Sequence, residues 1–121
     1  MSASLPIGPV ILVVEDEALI RMHATDMLQD SGFSTFEASG PEDALAQMAR
    51  HPEISVLFTD INMPGGFDGL ELAHRVHAVR PDIQLILTSG RNAPDRCDIP
   101  DNGQFLPKPY DRASLTRLIA A

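Results

Sequence analysis

Short, continuously apolar runs alternate along the chain with longer segments whose apolar residues recur every three to four positions. The first run, Val10 to Val14, has no polar break, as expected of a strand covered on both faces. Ser55 to Thr59 and Leu85 to Thr88 repeat that pattern, and Gln104 to Leu106 is a shorter version. Phe33 to Glu37 is more polar, which suits an edge strand. Helical spacing appears between them, at Ile20, Ala24 and Leu28 with Met27 beside them, at Ala44, Leu45 and Met48, and at Leu72, Val76 and Val79. A last helix carries Leu115, Leu118 and Ile119, with Asp111 placed to cap it. Gly32 stops the first helix, Pro41 opens the second and Pro81 follows the third. Strict alternation of this kind predicts a doubly wound α/β domain, a five-stranded parallel sheet with helices on both faces.

The alternation fails between Arg91 and Gly103. A helix is due there, yet Pro94, Pro100, Gly103 and the polar residues between them disfavour one. That stretch reads as a loop with at most one or two helical turns. The domain is expected over 10–121, after a disordered lead-in at 1–9 whose serines, glycine and prolines suit such a segment. No internal repeat, linker or low-complexity tract is visible.

With 121 residues there is room for one core. No apolar run approaches the ~18–20 residues that cross a bilayer, and the N-terminus has no signal-peptide pattern, so no membrane association and a cytoplasmic location are expected. The single cysteine, Cys97, excludes an internal disulfide, agrees with a reducing compartment, and reads as an incidental thiol. A formal net charge of −8 argues against direct nucleic-acid binding, which needs a basic face. Met22, Met27 and Met48 read as gap-filling core residues. His74 and His77, three apart on the third helix, lack a third ligand and read as solvated; His23 and His51 have no supporting partners.

Candidate chemistry collects where an open α/β sheet places its crevice, at the carboxyl ends of the strands. The exits carry Glu15-Asp16-Glu17, Asp60-Ile61-Asn62, Thr88-Ser89-Gly90 and Lys108-Pro109. Clustered carboxylates repel one another unless a hard cation binds among them, and Mg²⁺ suits few protein oxygens with positions left open for phosphate. Lys108 can neutralise a phosphoryl oxygen, and the hydroxyl of Ser89 or Thr88 can donate to another.

These stretches, Val13-Val14-Glu15-Asp16-Glu17, Asp60-Ile61-Asn62-Met63-Pro64 with Gly69, Leu87-Thr88-Ser89-Gly90 and Lys108-Pro109-Tyr110, together resemble the response-regulator receiver family, the CheY-like fold, over nearly the whole chain. The resemblance implies the strand order 2-1-3-4-5 and a stand-alone receiver of a two-component or phosphorelay system. It implies that Asp60 is the phospho-acceptor, that Asp16 binds Mg²⁺ directly and Glu15 mainly through water, and that Asp60 itself and the backbone carbonyl of Asn62 complete the metal site. Lys108 would pair with the phosphoryl group. Ser89, followed by a small residue, is favoured over Thr88 as the switch hydroxyl, and Phe105 matches a switch aromatic, although a core role is equally open to it. The donor would be a phosphohistidine on a sensor histidine kinase or histidine phosphotransfer protein, and the downstream protein target is unknown. On this basis the chain is a self-phosphorylating acceptor, not an enzyme with turnover.

Departures from the family pattern are Glu15 in place of the commoner Asp, one extra residue in Pro64 to Gly69, and the poor fourth helix. Two other readings compete. Asp60-Ile61-Asn62 echoes the Asp-x-Asp of aspartyl phosphatases. Against that, Asn62 cannot serve as general acid, and the chain lacks space for a cap over a substrate. An unphosphorylated pseudo-receiver acting as an interaction module is the second, and the complete pocket offers it no support. No Gly-rich loop follows the first strand, which disfavours nucleotide binding.

Overall fold

Each apolar run becomes a strand, and each is buried according to how many faces it must cover. The computed structural model describes residues 8–64, 66–91 and 93–120, so the expected lead-in falls, over 1–7, outside the described residues. The element order is β1 (Val10–Val14), α1 (Ala18–Asp30), β2 (Ser34–Ala38), α2 (Pro41–Arg50), β3 (Val56–Asp60), α3 (Gly69–Val79), β4 (Gln84–Ser89), β5 (Gly103–Pro107) and α4 (Arg112–Ala120). All strand pairs are parallel, in the order β2-β1-β3-β4-β5. Every residue of β1 and β3 is buried, whereas β2 at the edge is mostly open, in keeping with its more polar sequence.

Side-chain alternation splits the core in two. Leu12, Leu57, Leu85 and Leu87 face α2 and α3, where Ala44, Leu72 and Val76 meet them. Ile11, Val13, Phe58 and Ile86 face α1 and α4, where Leu28, Leu115 and Ile119 meet them. Asp60 therefore continues the α1–α4 face of β3, two residues after Phe58, and Thr88 continues the same face of β4 after Ile86. Ser89 falls on the opposite, α2–α3 face, with Leu87.

The local signals act as their chemistry requires. Gly32 adopts a positive φ of 96°, letting the Phe33 amide close the end of α1 on the Leu28 carbonyl at 3.1 Å. Pro41 occupies the first turn of α2. Asp68 and Asp111 accept hydrogen bonds from the amides of Glu71 and Ser114 at 2.9 and 2.7 Å, fixing the starts of α3 and α4. Among the described residues of Arg91 to Gly103 there is one 3₁₀ turn, at Arg96–Asp98, within the one or two turns expected.

Three expectations about packing are corrected. Met22 is 54% exposed, because it lies about 200° around α1 from the buried Ala24 and so faces solvent. Val79 is 79% exposed. It sits in the last turn of α3 and lines an open groove with Leu45 and Met48 instead of entering the core. His51 does have a partner: its ring stacks on Phe36 with centroids 3.9 Å apart and planes 14° from parallel.

Candidate functional site

The ends of β1 and β3 are adjacent strands of one sheet, and that adjacency brings their acids together. Glu15 follows β1 directly and is buried, its amide held by the Ala38 carbonyl at 3.1 Å. Asp60 ends β3 and is 7% exposed, while Asp16 stays open to solvent. Glu15, Asp16 and Asp60 each place a carboxylate oxygen within 4.8 Å of the others.

Lys108, one residue beyond β5, crosses to both buried acids. Its ammonium donates to Asp60 Oδ2 at 3.0 Å and to Glu15 Oε1 at 3.1 Å. The Lys108 amide is bonded to the Ser89 carbonyl at 3.0 Å, so the β4–β5 pairing sets where the side chain starts. Lys108 is also the single lysine of the chain, every other cationic side chain of fixed charge being arginine. The other oxygen of Asp60, Oδ1, accepts the Asn62 amide at 3.1 Å.

Close packing around Asp60 depends on Gly69. A Cβ there would lie 1.9 Å from the Asp60 carbonyl oxygen, so the start of α3 approaches the Asp60 backbone as only glycine allows. The Gly69 amide donates to the Ile61 carbonyl at 2.9 Å across the same contact.

Burial raises the Glu15 pKa above the ordinary carboxylate value. Hydrogen bonds from the Glu17 amide and Lys108 offset part of that, while Asp16 and Asp60 add to it. Burial also works against the Lys108 ammonium, yet hydrogen bonds and attraction to Asp60 and Glu15 outweigh it, and its pKa is raised. Burial pushes the Tyr110 phenol up to about 12. Its ring meets Phe58 edge-on, with centroids 5.4 Å apart.

The two neighbouring hydroxyls are placed quite differently. Ser89 Oγ donates to Asn62 Oδ1 and accepts the Arg91 amide at 2.9 Å, on the α2–α3 side of the sheet. Phe105 is half-buried against that same core. Thr88 Oγ1 lies on the other side, buried and without a hydrogen-bond partner among the described residues.

Other side chains carry roles that the sequence pattern does not show. Arg21 donates to the Glu15 carbonyl at 2.7 Å and to Glu37 Oε1 at 3.1 Å, tying the β1–α1 turn to β2. Its one sequence signal is a cation in the first turn of a helix, the end where the macrodipole disfavours it. His74 is not merely solvated: its Nε2 is 2.6 Å from the Asp98 carbonyl, pinning the Arg91–Gly103 segment to α3, while Nδ1 of His77 is shielded and has no partner among the described residues. Cys97 is exposed and free.

The comparisons with known proteins agree with this geometry. The family model for the response regulator receiver domain matches residues 11–120. The chain is 31% identical to the response regulator receiver protein CpdR of Brucella abortus, over 90% of this chain and 92% of that one. It is 32% identical to the sensor kinase CckA of the same organism over 90% of its own length, spanning 12% of the kinase. A response regulator receiver domain protein from Clostridium thermocellum superposes with a TM-score of 0.84 at 23% identity, over 93% of this chain and 91% of that one, a likeness of fold. The chain belongs to the response regulator receiver family of two-component systems.

Receiver domains generally bind Mg²⁺ in an acidic pocket, and the donor set here fits such an ion. Three carboxylates within 4.8 Å, with one ammonium against two of them, leave net negative charge for a hard, oxygen-seeking cation to offset. Among the described residues, no helix is long and apolar enough to cross a membrane.

Proposed function

We propose that Asp60 accepts a phosphoryl group from a phosphohistidine on a sensor kinase or phosphotransfer protein, and that the modified domain engages a protein partner. The observation that carries this reading is Lys108 bridging Asp60 and Glu15, with Asp16 completing an acidic cluster around the acceptor. An oxygen of the Asp60 carboxylate forms the new bond to phosphorus. The P–N bond to the donor imidazole breaks, its electron pair stays on that nitrogen, and the departing imidazole takes up a proton. Mg²⁺, when bound among Glu15, Asp16, Asp60 and the Asn62 carbonyl, offsets charge on the transferring group. Lys108 already lies against Asp60 and meets a phosphoryl oxygen with little movement, the kind of preorganised charge that lowers such barriers.

Ser89 supplies the readout. Its hydroxyl proton is directed at Asn62, so donation to a phosphoryl oxygen on Asp60 requires that contact to open. Opening moves Ser89 on the same face as Phe105, which couples the site to the surface around β5 as a shift between two packings. A cytoplasmic setting agrees with the lone free cysteine.

The test is intact-mass measurement after incubation with acetyl phosphate and Mg²⁺. Wild type gains the mass of one phosphoryl group and Asp60→Asn gains none; an unmodified wild type, or an adduct persisting in the variant, contradicts the proposal.

A further inference from the structure

Beneath Asp60, on the α1–α4 side of the sheet, lies a small cavity. It is lined by Val13, Phe58 and Tyr110 together with the polar residues Glu15, Asp60 and Thr88. About 10 Å³ of it is open to the centre of a water-sized sphere, close to the space one water molecule needs. Thr88, one of the residues lining this cavity, is only 3% exposed, and its hydroxyl has no partner among the described residues. A buried hydroxyl in that condition costs free energy comparable to a lost hydrogen bond, so folds rarely leave one unmet.

Strand register explains why a single water suits the gap. Thr88 and Asp60 are directly paired across β3 and β4, and both side chains continue the α1–α4 face. Parallel neighbours stand about 4.8 Å apart, which is too far for a short hydroxyl to meet a carboxylate directly and near enough for one bridging molecule. Asp60 oxygens each accept one hydrogen bond, from Asn62 and Lys108, and a carboxylate oxygen has capacity for a second.

We infer that one water molecule occupies this cavity and links the Thr88 hydroxyl to the Asp60 carboxylate, making Thr88 a positioning residue for the acceptor. The two adjacent hydroxyls then divide the work. Ser89, engaged with Asn62 and Arg91 on the far side of the sheet, responds to modification, whereas Thr88 holds Asp60 in place beforehand. The role of Thr88 rests on Asp60 being the acceptor; the bound water does not.

Three measurements test the inference. A crystal structure of the unmodified protein that resolves waters is expected to show one within hydrogen-bond reach of Thr88 Oγ1 and an Asp60 oxygen, and none there in Thr88→Val. With acetyl phosphate and saturating Mg²⁺, Thr88→Val is expected to accept the phosphoryl group about tenfold more slowly, the size of effect typical of supporting hydrogen bonds, and Thr88→Ser to recover most of the rate. Thr88→Val is expected not to raise Tm. A dry cavity overturns the inference, as does a Thr88→Val protein with an unchanged rate or a Tm several degrees higher, since replacing a truly orphaned hydroxyl by an apolar isostere stabilises. Wild type that accepts no phosphoryl group overturns the reading of Asp60 and with it the role of Thr88, and the crystal structure still decides the water.

Discussion

The carboxyl end of the sheet and the segment from Arg91 to Gly103 are neighbours in the fold but are held by different means. At the sheet end, side chains from β1, β3 and the residue after β5 converge, and one ammonium joins two buried carboxylates. Across the other region the described residues are mostly exposed and form one 3₁₀ turn, held by Ile99 against the core and by a few polar ties, such as His74 to the Asp98 carbonyl and Asn102 to the Pro81 carbonyl at 2.8 Å. Strand register places chemical groups to within a hydrogen bond and leaves them little freedom. A segment with no strand partner takes its shape from scattered contacts, and small changes can reshape it. Precision around Asp60 and latitude at the neighbouring surface are therefore what the proposed function would need, a fixed site beside a surface particular to this chain.

The contrast can be broken experimentally, beginning with the charge that joins the site. Lys108→Met is expected to slow phosphorylation of Asp60 by about 100-fold, the usual loss for a preorganised group facing developing charge. Stopped-flow or timed mass measurements give the rate, and a near-normal value would mean that Lys108 is not aimed at the reaction. Gly69→Ala is expected to destabilise the fold by about 3 kcal/mol or more in urea titration, because its Cβ would overlap the Asp60 carbonyl and the nearby atom is backbone. An alanine tolerated there would show that α3 can back away from Asp60.

Alkaline titration sharpens the same point through the only tyrosine of the chain. Phenol absorbance is expected to change with a midpoint of about 12 in the folded protein, against the ordinary 10.0 in urea. The folded pKa lies above the unfolded one, so the native state keeps its proton longer. The contribution of Tyr110 to stability is then constant below about pH 10 and falls as pH rises towards 12, and Lys108 contributes in the same direction. The smallest effect belongs to the other region. His74→Ala is expected to cost about 1 kcal/mol or less and to speed amide exchange between Arg91 and Gly103, leaving the phosphorylation rate unchanged. A changed rate would join the two regions that the structure separates.

Much of this was legible in the sequence, for identifiable reasons. Val10 to Val14 and Val56 to Asp60 are strands buried on both faces, so Val10 to Val14 and Val56 to Phe58 are continuously apolar and the polar residues at their exits mark the site. Glu15, Asp16, Asp60 and Lys108 follow from knowing which strand each one leaves. Periodicity shows which side of a helix a residue occupies, but not whether anything covers it, and Val79 is on the expected stripe yet exposed. Arg21 carried only the faint signal of a cation in the first turn of a helix, since one of its partners is a main-chain carbonyl and the other, Glu37, lies on a different strand. The difference between Thr88 and Ser89 appears only once register assigns them to opposite faces. In the same way, the Arg91–Gly103 segment could be read as irregular, but the tie to His74 depends on an approach across 24 residues.

The most direct test of Asp60 as the centre of the site is to locate the modification itself. After phosphorylation with Mg²⁺ and acetyl phosphate, borohydride reduction of the acyl phosphate followed by peptide mass spectrometry should convert Asp60, and no other acid, to homoserine. Reduction at Glu15, Asp16 or a residue outside the cluster, with Asp60 intact, would contradict the account.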